Sequence, residues 1–585
     1  MGTFSCDIET DGLDPTVVWC IAVQDVDTKR TAVFYDEGAE EYPLDWRTLN
    51  NFQAWMDENV DTLVFHNGIG YDVPVLQRLL GIDFSDVAIE DTMIMSQFLE
   101  PQREGGHSLD AWGERMGFPK GEHSDWTQFS KEMLDYCVRD VEVTTQLYRT
   151  LENGFDDRAL EALALEYDIK AHCVEQEHNG WAFDIDGAER LMMTISNDIT
   201  EQEAEVRKVF KPKPVFHELK KAPKFTKTGA ISKRYQTQLE KGCFFNQEGK
   251  WGYNQYREFN LGSRPQIAEY LQDFGWKPTV FTEKGNVKID DEILEGVDIP
   301  EVKMIARYLM LAKRRSMLKS WIEAYNPETK ALHGRVRTIG TVTHRMSSNN
   351  PNMQQVVASD KEYGHEMRSL FVAREGKVIV GADLSGLEIR CLAHYMNDPE
   401  YTEEVLNGDV HTKNQKSAGL PTRASAKTFI YAFLYGGGDE LIGNIVGGGR
   451  KEGKKIKNKF IDSIPSLANL RRLAEAAADN RGFVFGLDGR KIYTRSSHSA
   501  LNFLLQSAGA IIAKRAWANF YDSCTLPYKQ LGVIHDELQL EVDPKDADAI
   551  GELLVDAMRK VTEDYNLRCP MDGEYKIGNN WSETH

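Results

Sequence analysis

Two apolar runs that each deliver acids, Val378-Ile379-Val380-Gly381-Ala382-Asp383 and Val533-Ile534-His535-Asp536-Glu537-Leu538-Gln539-Leu540, constrain this chain more than any other feature. Val, Ile and Leu on both sides of His-Asp-Glu read as two short strands joined by a tight turn, which lifts the carboxylates to the tip of a hairpin. The earlier run reads as a buried strand ending in Asp383. Brought together, two such aspartates can hold a pair of Mg²⁺ ions about 3.5–4 Å apart, the arrangement that clamps the attacking and leaving oxygens of phosphoryl transfer. An isolated acidic turn is more often solvated decoration, so the remaining sequence has to decide.

At 585 residues the chain is long enough for about four domain-sized units, or fewer large ones. No stretch approaches 18 apolar residues, and Met1 to Asp11 has neither a cationic start nor an apolar core, so no membrane span or secretory signal is expected and a cytoplasmic location is. Eight cysteines are scattered without a Cys-x-x-Cys pair, which argues against zinc and disulfides and for reduced, buried thiols. The net charge of -22 is unusual for a protein that meets nucleic acid, but its distribution is uneven. Between Arg207 and Lys241, eleven Lys and Arg stand against two acids, a local +9 that leaves -31 elsewhere. Only parts of the chain can welcome phosphates.

Residues 1 to 155 alternate β-rich runs (Val17 to Val26, Thr31 to Tyr35, Thr62 to Phe65) with helical stretches, the pattern of an α/β domain. Residues 160 to 205 read as helical and acidic. The basic segment carries Pro212, Pro214 and Pro223 without periodicity and is expected to be extended or loop-like. A second helical zone is expected from Ser263 to Tyr325, strands near Gly334 to Arg337 and Lys377 to Ala382, helices from 385 to 480, and an α/β part with the hairpin. Gly448 to Lys454 imitates a phosphate loop but has Lys455 where Ser or Thr should stand, so the glycines from 436 to 449 are expected to be flexible connections.

Asp7 and Glu9 sit at i and i+2 of a β-like run, so both carboxylates face one side. His66-Asn67-Gly68-Ile69-Gly70-Tyr71-Asp72 adds an acid where a strand gives way to a helix, and Tyr136 and Asp140 share a helix face. Four carboxylates and a tyrosine suit two-metal hydrolysis, with Tyr136 orienting the attacking water. In order and context these residues resemble the tyrosine-bearing branch of the DEDD exonuclease family, whose members remove nucleotides from DNA 3′ ends.

Arg423, Lys427, Tyr431 and Tyr435 recur every four residues, so they form one stripe of a helix roughly 18 Å long. Two cations followed by two rings can grip a triphosphate at one end and stack on a base at the other. Asp383 to Arg390, this stripe and His535-Asp536-Glu537 resemble motifs A, B and C of family A DNA polymerases, in the right order. Arg345-Met346-Ser347-Ser348, Pro351-Asn352-Met353-Gln354, Gly408 to Thr412, Leu504 to Gly509 and Phe259 to Arg264 match as well, over nearly the whole chain, most strongly to replicative polymerases of short-tailed bacteriophages.

The resemblance implies an α/β and α+β multidomain fold: a ribonuclease H-like exonuclease domain at 1–155, a thumb at 156–325 with the basic segment 207–241, palm at 326–400, fingers at 401–499 and palm again at 500–585. It implies template-directed DNA synthesis with 3′-5′ proofreading. Asp383, Asp536 and the Leu384 carbonyl would hold two Mg²⁺ ions, with Mn²⁺ as an alternative; Asp7, Glu9, Asp72 and Asp140 would hold two more. His411, Arg423 and Lys427 would hold the incoming deoxynucleoside triphosphate. Tyr431 would lie beside the sugar with Glu388 paired to it, excluding a ribose 2′-hydroxyl. Tyr435 would flank the templating base, Arg345 and Gln506 would touch primer-template in the minor groove, and His535 and Glu537 would support the primer end and the metal site.

Further implications are a host-cytoplasm location if phage-encoded and partners including primer-template DNA, a helicase-primase and a single-stranded DNA-binding protein. Host thioredoxin, a processivity factor of phage relatives, could dock on 207–241, although that segment is short for the purpose and direct duplex contact is the rival. With the first constellation starting at Asp7, no 5′ nuclease domain is expected ahead of residue 1. The family usually has Gly where this chain has His344, which leaves the local backbone open. The competing function is an exonuclease or repair nuclease with an accessory DNA-binding C-terminal region, which would leave Asp383 and Asp536 without purpose.

Overall fold

The computed structural model describes residues 1–36, 45–278, 280–282, 285–290, 293–294, 297 and 299–585. The polypeptide forms two compact units, Met1–Ile185 with Glu323–His585, and Asp186–Ile322.

The N-terminal part of the larger unit is built on a six-stranded sheet. Its first strand, Gly2–Thr10, is central, antiparallel to Val18–Asp25 and parallel to Val60–Phe65. Alternation along Gly2–Thr10 sends Cys6 and Ile8 into an apolar cluster with Phe34, Phe52 and Met56, so Asp7 and Glu9 share the opposite face. The Lys131–Leu151 helix packs across this sheet and is capped by Ser130, whose hydroxyl accepts the Met133 N–H.

The C-terminal part centres on a four-stranded antiparallel sheet in the spatial order Tyr528–Ile534, Glu537–Val542, Val378–Leu384, Gly573–Gly578. The expected hairpin is present, with one refinement: Glu537 is not in the turn but opens the second strand, opposite Ile534 and beside Asp383. His535 takes the left-handed conformation of the turn, φ 59°. Ala500–Ser523 is buried almost all round, in keeping with its high Leu, Ala and Ile content.

The glycine-rich stretch differs from expectation. A Cβ on Gly453 would lie 1.7 Å from the Asp439 carbonyl oxygen, and one on Gly443 2.3 Å from that of Gly449. These glycines let the Asp439–Asn444 and Arg450–Ser463 helices approach closely, and so are packing devices rather than flexible joints.

In the smaller unit the basic segment is also more ordered than its prolines suggest. It contains a strand, Lys213–Glu218, and a helix, Lys233–Glu240. The strand is the edge of a three-stranded sheet, the position in which a sheet tolerates proline. The second helical zone includes Arg264–Asp273 and Pro300–Ala324; residues 279, 283–284, 291–292, 295–296 and 298 of that zone lie outside the described residues.

Candidate active sites

The first site lies on the six-stranded sheet. Glu9 and Asp140 are buried, Asp72 is buried at the first turn of the Asp72–Leu80 helix, and Asp7 and Tyr136 are half-buried. Burial, then the Glu9 charge, holds Asp7 well above the ordinary carboxylate range; burial, then Asp140, pushes Glu9 up to about 9; burial pushes Asp72 up to about 7 and raises Asp140. Four acids that resist ionisation together describe a place short of positive charge.

Two residues that the sequence reading missed belong to this site. Lys120 pairs with Asp140 at 2.6 Å and stands 4.9 Å from the Tyr136 ring centre. Burial works against its charge, but the Asp140 carboxylate more than compensates and its pKa is raised. The Cys137 thiol donates to the Asp7 carbonyl at 3.4 Å, and Asp7, Glu9 and Cys137 bring ligand-type atoms within 4.8 Å of one another. Nothing local in the sequence marks Lys120; Cys137 could have been found from its place on the buried face of the helix that carries Tyr136 and Asp140.

The residues fit a cation. Glu9 Oε1 and Asp140 Oδ1 are buried and accept no hydrogen bond among the described residues, which in a neutral core would cost about 1–3 kcal/mol each.

The second site lies on the four-stranded sheet. Asp383, the last residue but one of its strand, pairs with Glu537 and Glu574 on either side, and the Leu384 N–H donates to the Asp536 carbonyl at 3.3 Å, which locks the hairpin turn onto the Asp383 strand. Burial, then the Asp536 charge, pushes Asp383 up to about 8; burial, then Glu388, pushes Asp536 up to about 6. Glu537 is held differently. Its Oε1 accepts from the Trp581 indole at 2.6 Å and from Gln539, and its Oε2 meets His585 Nδ1 at 2.8 Å. Both Glu537 oxygens are thus engaged within the protein.

Beside Asp536 is a cavity of about 230 Å³ lined by Arg345, Glu388, Tyr435 and His535, with Gly509 and Ala510 from the Ala500–Ser523 helix. Gln506, half-buried, lies one turn before these two on that helix. Glu388 accepts hydrogen bonds from Arg345 at 3.2 Å and from the Tyr435 hydroxyl. The expected partner, Tyr431, makes no hydrogen bond to Glu388 among the described residues: Tyr435, one turn further and just past the helix end, has the reach.

The helical stripe forms as expected. Arg423 and Lys427 are exposed and Tyr431 half-buried along Arg423–Leu434, while Phe429, Ile430 and Phe433 anchor the opposite face. His411, from Val410–Ala418, comes within 6.3 Å of the Tyr431 ring, and burial, Arg423 and Lys427 lower its pKa. Arg423 is held by Asp409 at 2.8 Å, a partner the sequence reading did not name. Asn502 fastens the C-terminal end of the stripe helix by donating to the Phe433 and Leu434 carbonyls at 2.7 and 3.0 Å.

His344 explains its own oddity. It adopts the left-handed conformation, φ 60°, which a glycine enters without strain. It is wholly buried, accepts from Arg490 at 3.1 Å through Nδ1, and burial, Arg490 and Lys514 hold it neutral. Glu166 accepts from Arg490 at 2.6 Å and from Lys514 at 2.6 Å, with all three side chains fully buried.

One sheet carrying acids short of cations and another carrying an aspartate pair beside a cationic, aromatic helix define a protein with two separate acidic centres. Comparison with known proteins agrees. Residues 1–156 match the family described as 3′-5′ exonuclease, and residues 231–583 that described as DNA polymerase family A. The DNA-directed DNA polymerase of Enterobacteria phage T3 is 34% identical over 89% of this chain and 92% of its own length. That of Escherichia phage T7 is 33% identical over 94% and 97%. The POL domain of Pol1 from M. smegmatis, solved in complex with DNA primer-template and dNTP, superimposes with a TM-score of 0.75 over 99% of this chain and 95% of that one, at 18% identity, and so shares the fold. The chain belongs to DNA polymerase family A, as a phage-type DNA-directed DNA polymerase with a 3′-5′ exonuclease domain. Among the described residues, no helix is long and apolar enough to cross a membrane.

Proposed function

We propose that synthesis runs at Asp383 and Asp536 and proofreading at Asp7, Glu9, Asp72 and Asp140. The observation that carries this is the pair of separate carboxylate groups, each raised in pKa by burial and by its neighbours' charges. Asp383, Asp536 and the Leu384 carbonyl would hold Mg²⁺ in the first centre, and the four acids of the exonuclease sheet in the second. Divalent ions bound there supply charge stabilisation to the attacking and leaving oxygens.

The remaining chemistry belongs to the protein. Arg423, Lys427 and His411 bind the triphosphate, whose phosphates displace Asp409 from Arg423, and their positive charge opposes the negative charge that accumulates on the leaving pyrophosphate. Tyr431 packs against the sugar. Glu388 leaves no room for a 2′-hydroxyl, with Arg345 and Tyr435 fixing its position. Tyr435 flanks the templating base, while Arg345, Gln506 and His535 meet primer-template. In the exonuclease centre Tyr136 orients the attacking water, and the Lys120 ammonium opposes the effect of burial on Asp140.

The domain layout follows: exonuclease 1–155, thumb 156–325, palm 326–400 and 500–585, fingers 401–499. In the thumb, exposed Lys220, Lys221, Lys224 and Lys227 contact duplex phosphates. Thioredoxin docking is the alternative, decided by primer-extension length with and without thioredoxin. Primer extension and 3′ degradation by Asp536→Ala and Asp7→Ala proteins test the division of labour: each should lose one activity and keep the other, and loss of both from either substitution would refute two independent centres.

A further inference from the structure

The hairpin formed by Phe483–Phe485 and Lys491–Tyr493 has two unlike faces. Val484 pairs with Ile492, and both are buried in the same core as the four-stranded sheet. On the other face Phe483 pairs with Tyr493, and Phe485 with Lys491. Phe485 and Tyr493 are 45% and 44% exposed. The Phe483 ring lies 5.2 Å from Phe485 and 5.8 Å from Tyr493, so the three make one continuous aromatic surface. Cations interleave with it: the Arg481 guanidinium lies 5.2 Å from Phe483 and 4.8 Å from Phe485, and the Lys491 ammonium 5.6 Å from Phe483.

A cavity of about 630 Å³ adjoins this face, lined among others by Phe98, Arg103, Lys491, Tyr493 and Arg495. Its two carboxylates are already engaged: Glu100 pairs with Arg103 at 3.0 Å, and Asp156 caps a helix by accepting the Ala159 N–H at 2.9 Å. Lys491 and Arg495 therefore face the cavity without a carboxylate partner among the described residues. In a chain of net charge -22, open rings set among uncompensated cations call for a ligand that is both flat and anionic.

We propose that this hairpin face and its cavity are a binding platform for single-stranded DNA, occupied by the unpaired template strand ahead of the polymerase centre. Exposed rings take bases by stacking, which tolerates any sequence, and Arg481, Lys491 and Arg495 take the phosphates. A duplex, with its bases already stacked inside, could not use the rings. The hairpin's connection selects the strand. Arg490, in its turn, donates to His344, and His344 precedes Arg345, which lines the cavity beside Asp536. The choice of strand rests on Arg345 and Tyr435 lying on the template side; the binding of single-stranded DNA does not.

The test is equilibrium binding of the full chain in EDTA to three labelled primer-templates: blunt, with a template overhang of about ten nucleotides, and with a frayed primer 3′ end. The overhang should tighten binding by the unmodified protein, and a Phe485→Ala, Tyr493→Ala double variant should lose about fivefold or more of that gain, with blunt-end affinity and melting temperature unchanged. Lys491→Gln should reduce the salt dependence of overhang binding by about 0.7 in log–log slope. A double variant that binds the overhang as tightly as the unmodified protein overturns the proposal, as does a loss confined to blunt DNA or to the frayed primer. Should the double variant misfold, photocrosslinking of 5-iodouracil in the overhang to the unmodified chain decides: adducts on Phe483, Phe485 or Tyr493 are expected, and adducts only elsewhere contradict it.

Discussion

The indole of Trp581, four residues from the C-terminal His585, donates to the carboxylate of Glu537 at 2.6 Å. Glu537 follows Asp536 directly, so Trp581 and His585 brace the proposed polymerase centre.

Trp581→Phe removes this donor and leaves Glu537 buried and under-satisfied. Loss of a hydrogen bond to a charged group costs about 1.5–3 kcal/mol. The expected result is a fall in unfolding free energy of at least that size by urea denaturation, and a fall in primer extension without an equal fall in 3′ degradation.

The buried trio of Glu166, Arg490 and Lys514 holds His344 in its left-handed turn. Glu166→Gln leaves buried Lys514 without a carboxylate partner and Arg490 with Asp488 alone. It should cost about 3–5 kcal/mol, read by denaturation at neutral pH. By contrast, His344→Ala should be less stable than His344→Gly by about 1–2 kcal/mol, because only glycine takes φ 60° freely. Equal stability of the two variants would contradict the backbone argument.

Stability should depend on pH in a direction fixed by the acids. Folding raises Glu9 to about 9 and Asp72 to about 7, so the folded protein binds more protons than the unfolded chain. This contribution is complete below about pH 4, the unfolded carboxylate range, and is lost as pH rises through 7 and 9. In EDTA the melting temperature should fall across that window; Mg²⁺ should restore it, most at the alkaline end. Glu9→Gln should flatten the profile, and a melting temperature that rises with pH in EDTA would contradict the assignment.

Lys427→Ala should lower the rate of nucleotide incorporation by about 10²–10³, the usual effect of removing one preorganised group that meets developing charge. Rapid-quench incorporation on a matched primer-template measures it, and 3′ degradation should be unchanged.

Much of this was legible in the sequence because it is periodic. Asp7 and Glu9 sit two apart on a strand, Tyr136 and Asp140 four apart on a helix, and Arg423 to Tyr435 follow a four-residue step, so each motif fixes its own face. Residues that act through distant partners gave no such sign. Lys120 meets Asp140 from a loop, Trp581 meets Glu537 across 44 positions, and Glu166 meets Lys514 across 348. Helical phase alone does not show that Tyr435, just past the end of its helix, is the tyrosine that hydrogen-bonds Glu388. Pro214 argued against a strand that exists, since only the sheet order reveals that the strand is an edge.

The most direct measurement is single-turnover nucleotide incorporation by Asp383→Asn beside the unmodified protein. The substitution keeps the side chain's size and removes its charge. The predicted result is a fall of at least about 10³ in the incorporation rate, nucleotide affinity within a few-fold, and 3′ degradation intact. Incorporation within tenfold of the unmodified rate would contradict the placement of the polymerase centre at Asp383 and Asp536.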